Sequence, residues 1–164
     1  MNNFEYCVPT RVIFGRDTQK RAGELIKEYG FRKVMIHYGG GSVKRSGLLD
    51  QVTASLREAG IEMVLFGGVQ ANPTLSKALE GMEICRREGV DFILAVGGGS
   101  TIDSSKAIAV GTVYDGDFWD FYEKKATIEK ALPIGTILTI AAAGSEGSMN
   151  TVINNEETGF KKGA

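Results

Sequence analysis

The segment from Val96 to Lys106 reads VGGGSTIDSSK: three glycines at the end of an apolar run, then a hydroxyl, a carboxylate and a lysine at helical spacing. Glycines in such a place let the main chain approach a ligand with no Cβ in the way. A helix starting behind them aims free amides and the positive end of its dipole at the same space. This chemistry binds anions, and a pyrophosphate suits it, with Ser100 adding a hydroxyl donor. Ser100 and Asp103 also stand at capping-box spacing, a helix-starting role that can coexist with anion binding. The pattern is neither G-x-G-x-x-G nor a Walker A loop, which needs a Lys-Ser/Thr pair after its last glycine.

A second GGGS, Gly39-Gly40-Gly41-Ser42, ends another apolar run and is followed by Lys44 and Arg45. Other reactive residues are sparse. The one histidine, His37, lies inside an apolar run, where core placement is expected. Cys7 and Cys85 are far apart and lack metal-ligand spacing, so both read as reduced thiols. No cluster of His, Cys and carboxylates at ligand spacing occurs, so no metal ligand and no catalytic residue is assigned.

The elements that must position these loops follow from periodicity. Residues 4–8 and 11–14, split by Pro9 and closed by Gly15, suit a hairpin or edge segment. Thr18 can cap a helix carrying Ala22, Leu25, Ile26 and Tyr29, with Gly30 as its stop. Residues 33–38 (KVMIHY) predict a buried parallel strand running into the first glycine loop. A helix over 46–59 and a strand over 61–66 come next. Thr74 then caps a third helix with Leu75, Leu79, Met82 and Cys85 facing inward and Gly89 closing it. The strand 91–96 feeds the second glycine loop and a helix over 101–110. Residues 115–125 read as a loop with a short helix, 133–140 as a strand, and 149–154 with 159–164 as a hairpin.

Strands alternating with helices imply an α/β fold, a Rossmann-like parallel sheet with flanking helices, plus β-hairpins. Ligands of such sheets sit beyond the carboxyl ends of the strands, where both GGGS loops fall. At 164 residues and 43% apolar the chain is sized for one domain, 1–164. Its net charge of -1 supplies no field to gather nucleic acid or an anionic membrane, so neither is an expected partner. With no basic-then-apolar leader and no long apolar run, a soluble cytoplasmic protein is expected.

The GGGSxxDxxK stretch resembles that of the iron-containing (group III) alcohol dehydrogenases, in the NAD(P)H-dependent butanol dehydrogenase branch. Further matches run along the chain: residues 38–44 (YGGGSVK), Asn72-Pro73, 116–120 (GDFWD), 132–134 (LPI) and 144–146 (GSE). The resemblance implies an NAD(P)-dependent, metal-assisted alcohol dehydrogenase or aldehyde reductase for short primary alcohols or aldehydes. It implies that Gly97, Gly98, Gly99 and Ser100 contact the pyrophosphate, and that Asp103 lies toward the nicotinamide or the substrate cleft. Gly39, Gly40, Gly41, Ser42, Asn72 and Pro73 join the cofactor-binding set. Thr139 matches a threonine beside adenine or phosphates, Ser148 stands where some relatives have an asparagine near the nicotinamide, and Lys161 matches a lysine reaching the ribose. Ala143 departs from the threonine many relatives carry and receives no role.

NAD-preferring relatives often place an aspartate near the first loop, where it binds both ribose hydroxyls and repels a 2′-phosphate. Here Gly39, Gly40 and Ser42 leave room, and Lys44 with Arg45 can supply compensating charge, which favours NADP over NAD. The family's ligands for Fe2+ or Zn2+, one aspartate and three histidines, belong to an all-helical domain that follows this region, so the chain is expected to be the cofactor-binding part of a longer homodimeric enzyme, inactive by itself. Two other readings stay open: a stand-alone nucleotide-binding module, and a relative of glycerol dehydrogenase or dehydroquinate synthase.

Overall fold

The computed structural model describes residues 9–164. A 3-10 turn, Thr18–Arg21, leads into α1 (Ala22–Glu28), β1 (Lys33–Tyr38), α2 (Ser42–Arg45), α3 (Leu48–Glu58), β2 (Glu62–Phe66), α4 (Leu75–Glu88), β3 (Phe92–Gly97) and α5 (Gly99–Thr112). A 3-10 turn at Phe118–Phe121 and β4 (Ile134–Leu138) come next, then a 3-10 turn at Ser145–Gly147, β5 (Val152–Asn154) and β6 (Lys161–Gly163). The first four strands form one parallel sheet in the order β2-β1-β3-β4, and β5 with β6 form an antiparallel pair. The Rossmann-like α/β reading therefore holds.

Period-two alternation divides the core into two layers. Val34, Ile36 and Tyr38 of β1 join Phe92, Leu94 and Val96 of β3 under α1 and α3, with Ile26, Val52 and Leu56. Met35 and Ile93 point the other way, to Ala78, Met82 and Cys85 of α4 and Ala107 and Ile108 of α5. Both β1 and β3 are thus covered on both faces, which is why they read as unbroken apolar runs. At Gly23 of α1 a Cβ would strike the Ser55 carbonyl of α3, so glycine there sets how closely these two helices approach. Trp119, Phe118, Phe121 and Tyr122 close the α4/α5 layer, Trp119 stacking on Tyr122 with ring centroids 4.8 Å apart.

Several expectations need correction. Residues 11–14 form no strand; Val12 and Phe14 are exposed and nothing among the described residues pairs with them. The expected strand at 4–8 lies outside the described residues. The helix expected over 46–59 is α3, which starts two residues later because Gly47 takes a left-handed φ of 73°, and it is preceded by the single turn α2, which the sequence reading did not include. Leu79 and Tyr29 face solvent rather than core, since Ala78, Gly81, Met82 and Cys85 already fill the buried face of α4 and Ile26 that of α1. The β4 strand is shorter than 133–140, ending at Leu138.

Candidate functional site

Both glycine loops leave the carboxyl ends of neighbouring strands, with Tyr38 of β1 paired to Val96 of β3. From β1 the chain goes to β2 on one side and then to β3 on the other. The strand order reverses between these two strands, and a crevice opens where the connections diverge. Gly39 and Gly97, the first residues of the two loops, arrive side by side for this reason although they are far apart in sequence. An added Cβ on Gly39 would stand 3.8 Å from Thr101 Oγ1, just behind the second loop.

The second loop has the features of an anion cradle. Gly98 is the N-cap of the 14-residue α5, with extended backbone (φ -95°, ψ -167°) and no side chain capping the helix. The amides of Gly99 and Ser100 have no acceptor within the helix, as helix geometry requires, and the amides of Thr101 and Ile102 turn back to the Gly98 carbonyl. None of the three glycines has a positive φ. Their need is for space: a Cβ on Gly97 would collide with Thr101, while a Cβ on Gly99 would meet nothing within 4 Å, so the ground above it is open. A phosphate at this point would meet free amides and the positive end of a long dipole. The residues present therefore fit a dinucleotide's paired phosphates.

Ser100 is not a cap. It lies inside the first turn, and Asp103 looks sideways instead of back: Ser145 Oγ donates to Asp103 Oδ1 at 2.6 Å and the Val152 amide to Oδ2 at 3.3 Å. The capping box is not formed because Gly98, two residues earlier, already starts the helix.

The remaining candidates gather in two groups around the cradle. The Thr139 amide donates to the Gly97 carbonyl at 3.0 Å, placing Thr139 beside the second loop. Ser148 lies in an exposed turn along the flank of α5, its hydroxyl accepting from the Asn150 amide. On the other side, Lys161 Nζ donates to Asn72 Oδ1 at 2.7 Å, and the Asn154 amide to the Pro73 carbonyl at 2.9 Å, so the β5/β6 hairpin and the β2–α4 connection form one unit. Glu156 reinforces it by accepting from the amide and hydroxyl of Ser76 at the start of α4. The Gly68 amide bonds the Gly39 carbonyl, joining that unit to the first loop.

The first loop is built differently. Gly41, Gly40 and Ser42 are exposed and start only one helical turn. A Cβ at Gly41 would run into the Arg45 guanidinium, which folds back over the loop, and Lys44 Nζ lies 5.4 Å from the centre of the Tyr38 ring. Residues 39–46 thus bring two cations and no carboxylate of their own.

His37 ties the two loops together from below. It is fully buried on β1; the Phe66 carbonyl can only accept, so Nδ1 donates to it at 2.8 Å, and Nε2 accepts from Ser104 of α5 at 2.8 Å. Burial pushes its pKa down to about 4, leaving a neutral imidazole of fixed tautomer. The core placement expected of His37 is thus observed, whereas its bond to the helix behind the second glycine loop had no signal in the sequence. Cys85 is buried against Met35, and burial raises its thiol to about 11. Among the described residues no group of three or more His, Cys, Asp or Glu side chains could hold a metal, and no helix is long and apolar enough to cross a membrane.

The profile of the iron-containing alcohol dehydrogenases matches residues 9–164. The chain belongs to this family. It is 50% identical over 161 residues to the probable NADH-dependent butanol dehydrogenase 2 of Bacillus subtilis, covering 98% of this chain and 41% of that protein. It is 39% identical over 165 residues to the NADPH-dependent aldehyde reductase YqhD of Escherichia coli, covering 99% and 42%. A crystal structure of NADH-dependent butanol dehydrogenase A from Thermotoga maritima superposes with a TM-score of 0.98 at 51% identity, over 100% of this chain and 41% of that one. The chain thus spans about two fifths of the length of these family members.

Proposed function

We propose that this chain is the coenzyme-binding part of an NAD(P)-dependent alcohol dehydrogenase or aldehyde reductase acting on short primary alcohols or aldehydes. The observation that carries the reading is the uncapped start of α5 at Gly98, open above Gly99, beside a second glycine loop at the strand-order reversal. Gly97 to Ser100 would hold the pyrophosphate. Thr139 would stand beside it, and Gly39 to Ser42, with Asn72, Pro73 and Lys161, would border the adenosine ribose. Asp103 and Ser148 would belong to the nicotinamide side, along the flank of α5.

A bound nicotinamide coenzyme supplies the hydride acceptor or donor. The chain's own residues contribute grip and orientation: free amides neutralise phosphate charge, and the His37–Ser104 bond fixes one loop's strand against the other loop's helix. Removing the hydroxyl proton as hydride leaves is work for a divalent metal in this family. The described residues offer no donor set that fits such an ion.

Between the coenzymes, the loop's own residues favour NADP: Arg45 and Lys44 border it, and residues 39–46 include no carboxylate to repel a 2′-phosphate. The three family members divide on this point, the two at 50% and 51% identity being NADH-dependent by name and the one at 39% NADPH-dependent. The homodimeric state and cytoplasmic location of the whole enzyme are part of the proposal. Titration calorimetry of the folded chain with NADPH and NADH tests the reading. Saturable binding of either is expected, and no heat at millimolar concentrations of both would overturn it.

A further inference from the structure

Lys106 has no part in the grip on phosphate, yet it is only 9% exposed and every proton on its ammonium is spoken for. Nζ donates to the Ser145 carbonyl at 2.7 Å, to Ser145 Oγ at 2.9 Å and to the Asn150 carbonyl at 2.8 Å. Desolvation pulls it below the usual lysine range, and Asp103 and Glu146 pull it back up. Asp103, three residues earlier on the same face of α5, takes the Ser145 hydroxyl proton on one oxygen and the Val152 amide on the other. The Thr151 hydroxyl donates to the Asp103 carbonyl at 2.7 Å.

These bonds hold a segment that little else holds. From Thr139, beside Gly97, the chain passes Ile140, which a Cβ on Gly98 would touch at 3.6 Å, and runs to the turn at Ser145–Gly147. Ile140 and Met149 are 65% and 94% exposed, so the segment brings almost no apolar anchor to the core. A methionine would fill the space of Lys106 without the cost of desolvating a charge. A lysine in its place, with all three donors spent on one segment, marks a role in location.

We propose that Lys106, with Asp103 and Ser145, is a positioning residue that clasps the 144–150 turn to α5 and so builds the nicotinamide-side wall of the coenzyme site. The proposal rests on the coenzyme-binding function proposed for this chain. It separates two halves of one ligand: the wall lies along the flank of α5, away from the pyrophosphate cradle at its start, so loss of the clasp should spare the ADP-ribose half.

The experiment compares the wild-type chain with Lys106→Met, titrating the intact dinucleotide (NADPH and NADH) and the matching nicotinamide-free fragments, 2′-phospho-ADP-ribose and ADP-ribose. Amide hydrogen exchange is followed in the same samples. Lys106→Met should weaken the dinucleotide about tenfold and leave the fragments within about twofold. It should also speed exchange at Gly147 and Ser148, whose amides close the turn, without affecting the β3 amides. Equal weakening of both ligand classes, with faster exchange throughout β3 and α5, would make Lys106 a core strut and overturn the proposal, as would unchanged binding. If Lys106→Met fails to fold, Ser145→Ala removes one acceptor of Lys106 and the donor to Asp103, and should give the same split with a smaller effect. Failure of the wild-type chain to bind any of the four would overturn the coenzyme reading itself, whereas normal wild-type binding with no split overturns this proposal alone.

Discussion

Gly39-Gly40-Gly41-Ser42 and Gly97-Gly98-Gly99-Ser100 are the same four letters after neighbouring parallel strands, and they build different structures. The second begins a helix of 14 residues, ten of them buried, whose start is extended, uncapped and open. The first begins a helix of four residues, with Gly41 already in the helical region and Gly47 breaking the chain away. The divergence comes from the residues next in the chain. After Ser100 come small and apolar residues that pack on both sides, and after Ser42 come Lys44 and Arg45, which must stay near water. A long helix concentrates charge at its first amides and a single turn does not, so the second loop is the one suited to phosphates, and the first is proposed to select the group beside them.

The strongest way to disturb the pair is through the residue joining them. The folded His37 resists protonation until about pH 4 while an unfolded histidine takes its proton near 6.5, so the unfolded state binds more protons in between. Stability should therefore fall as pH drops from 7 to 4, by about 3 kcal/mol from this group. Urea melts across that range should show the drop, and His37→Asn should flatten it relative to wild type; equal slopes would place the acid sensitivity elsewhere.

Next in size is a change aimed at one loop. Gly99→Asp puts a carboxylate where the anion would sit, and binding of both NADPH and NADH should weaken on the order of a hundredfold. The same carboxylate complements the helix dipole, so the chain should melt no lower, and up to about 1 kcal/mol more stably. A variant that binds normally would show that the start of α5 is not the phosphate site.

The far end of α5 offers a smaller effect. Arg86 of α4 donates to the carbonyls of Gly111, Thr112 and Tyr114, capping that helix while carrying charge of the sign its dipole prefers. Arg86→Met should lower stability by about 1–2 kcal/mol, read from denaturant midpoints, with coenzyme affinity nearly unchanged. The smallest expected effect sharpens the contrast from the other loop. A Cβ at Gly39 makes only ordinary contacts, so Gly39→Asp should be tolerated. It should weaken NADPH about tenfold, about 1.4 kcal/mol, and leave NADH within about threefold. Unchanged NADPH binding would remove the first loop from coenzyme selection.

Much of this arrangement was legible in the letters. β1 and β3 declared themselves as short apolar runs because both of their faces are buried, and Thr74 and Gly89 marked the ends of α4 by chemistry that acts within one turn. Segments whose fate depends on distant partners were misread. Residues 11–14 have the composition of a strand but no neighbour to pair with among the described residues, and Leu79 fits a helical stripe that Ala78 and Met82 already occupy. The candidate site was signalled by its glycines and not by its supports. Lys106 stood in plain view three residues after Asp103, and only the fold shows that both reach to Ser145.

The sequence by itself determined the local devices: apolar strands, glycine-rich helix starts, the Thr74 cap and Gly89 stop of α4, and the absence of an aspartate from the first loop, whereas the caps expected of Thr18 and Ser100 did not form. Each is governed by forces that act over a few residues. Tertiary structure alone decided which of two identical tetrapeptides would head a long helix at the strand-order reversal. It also decided which buried polar groups, His37 with Ser104 and Lys106 with Ser145, would meet across dozens of residues. Those meetings depend on the chain's path through the sheet, and a buried polar group takes whatever partner that path brings within hydrogen-bonding reach.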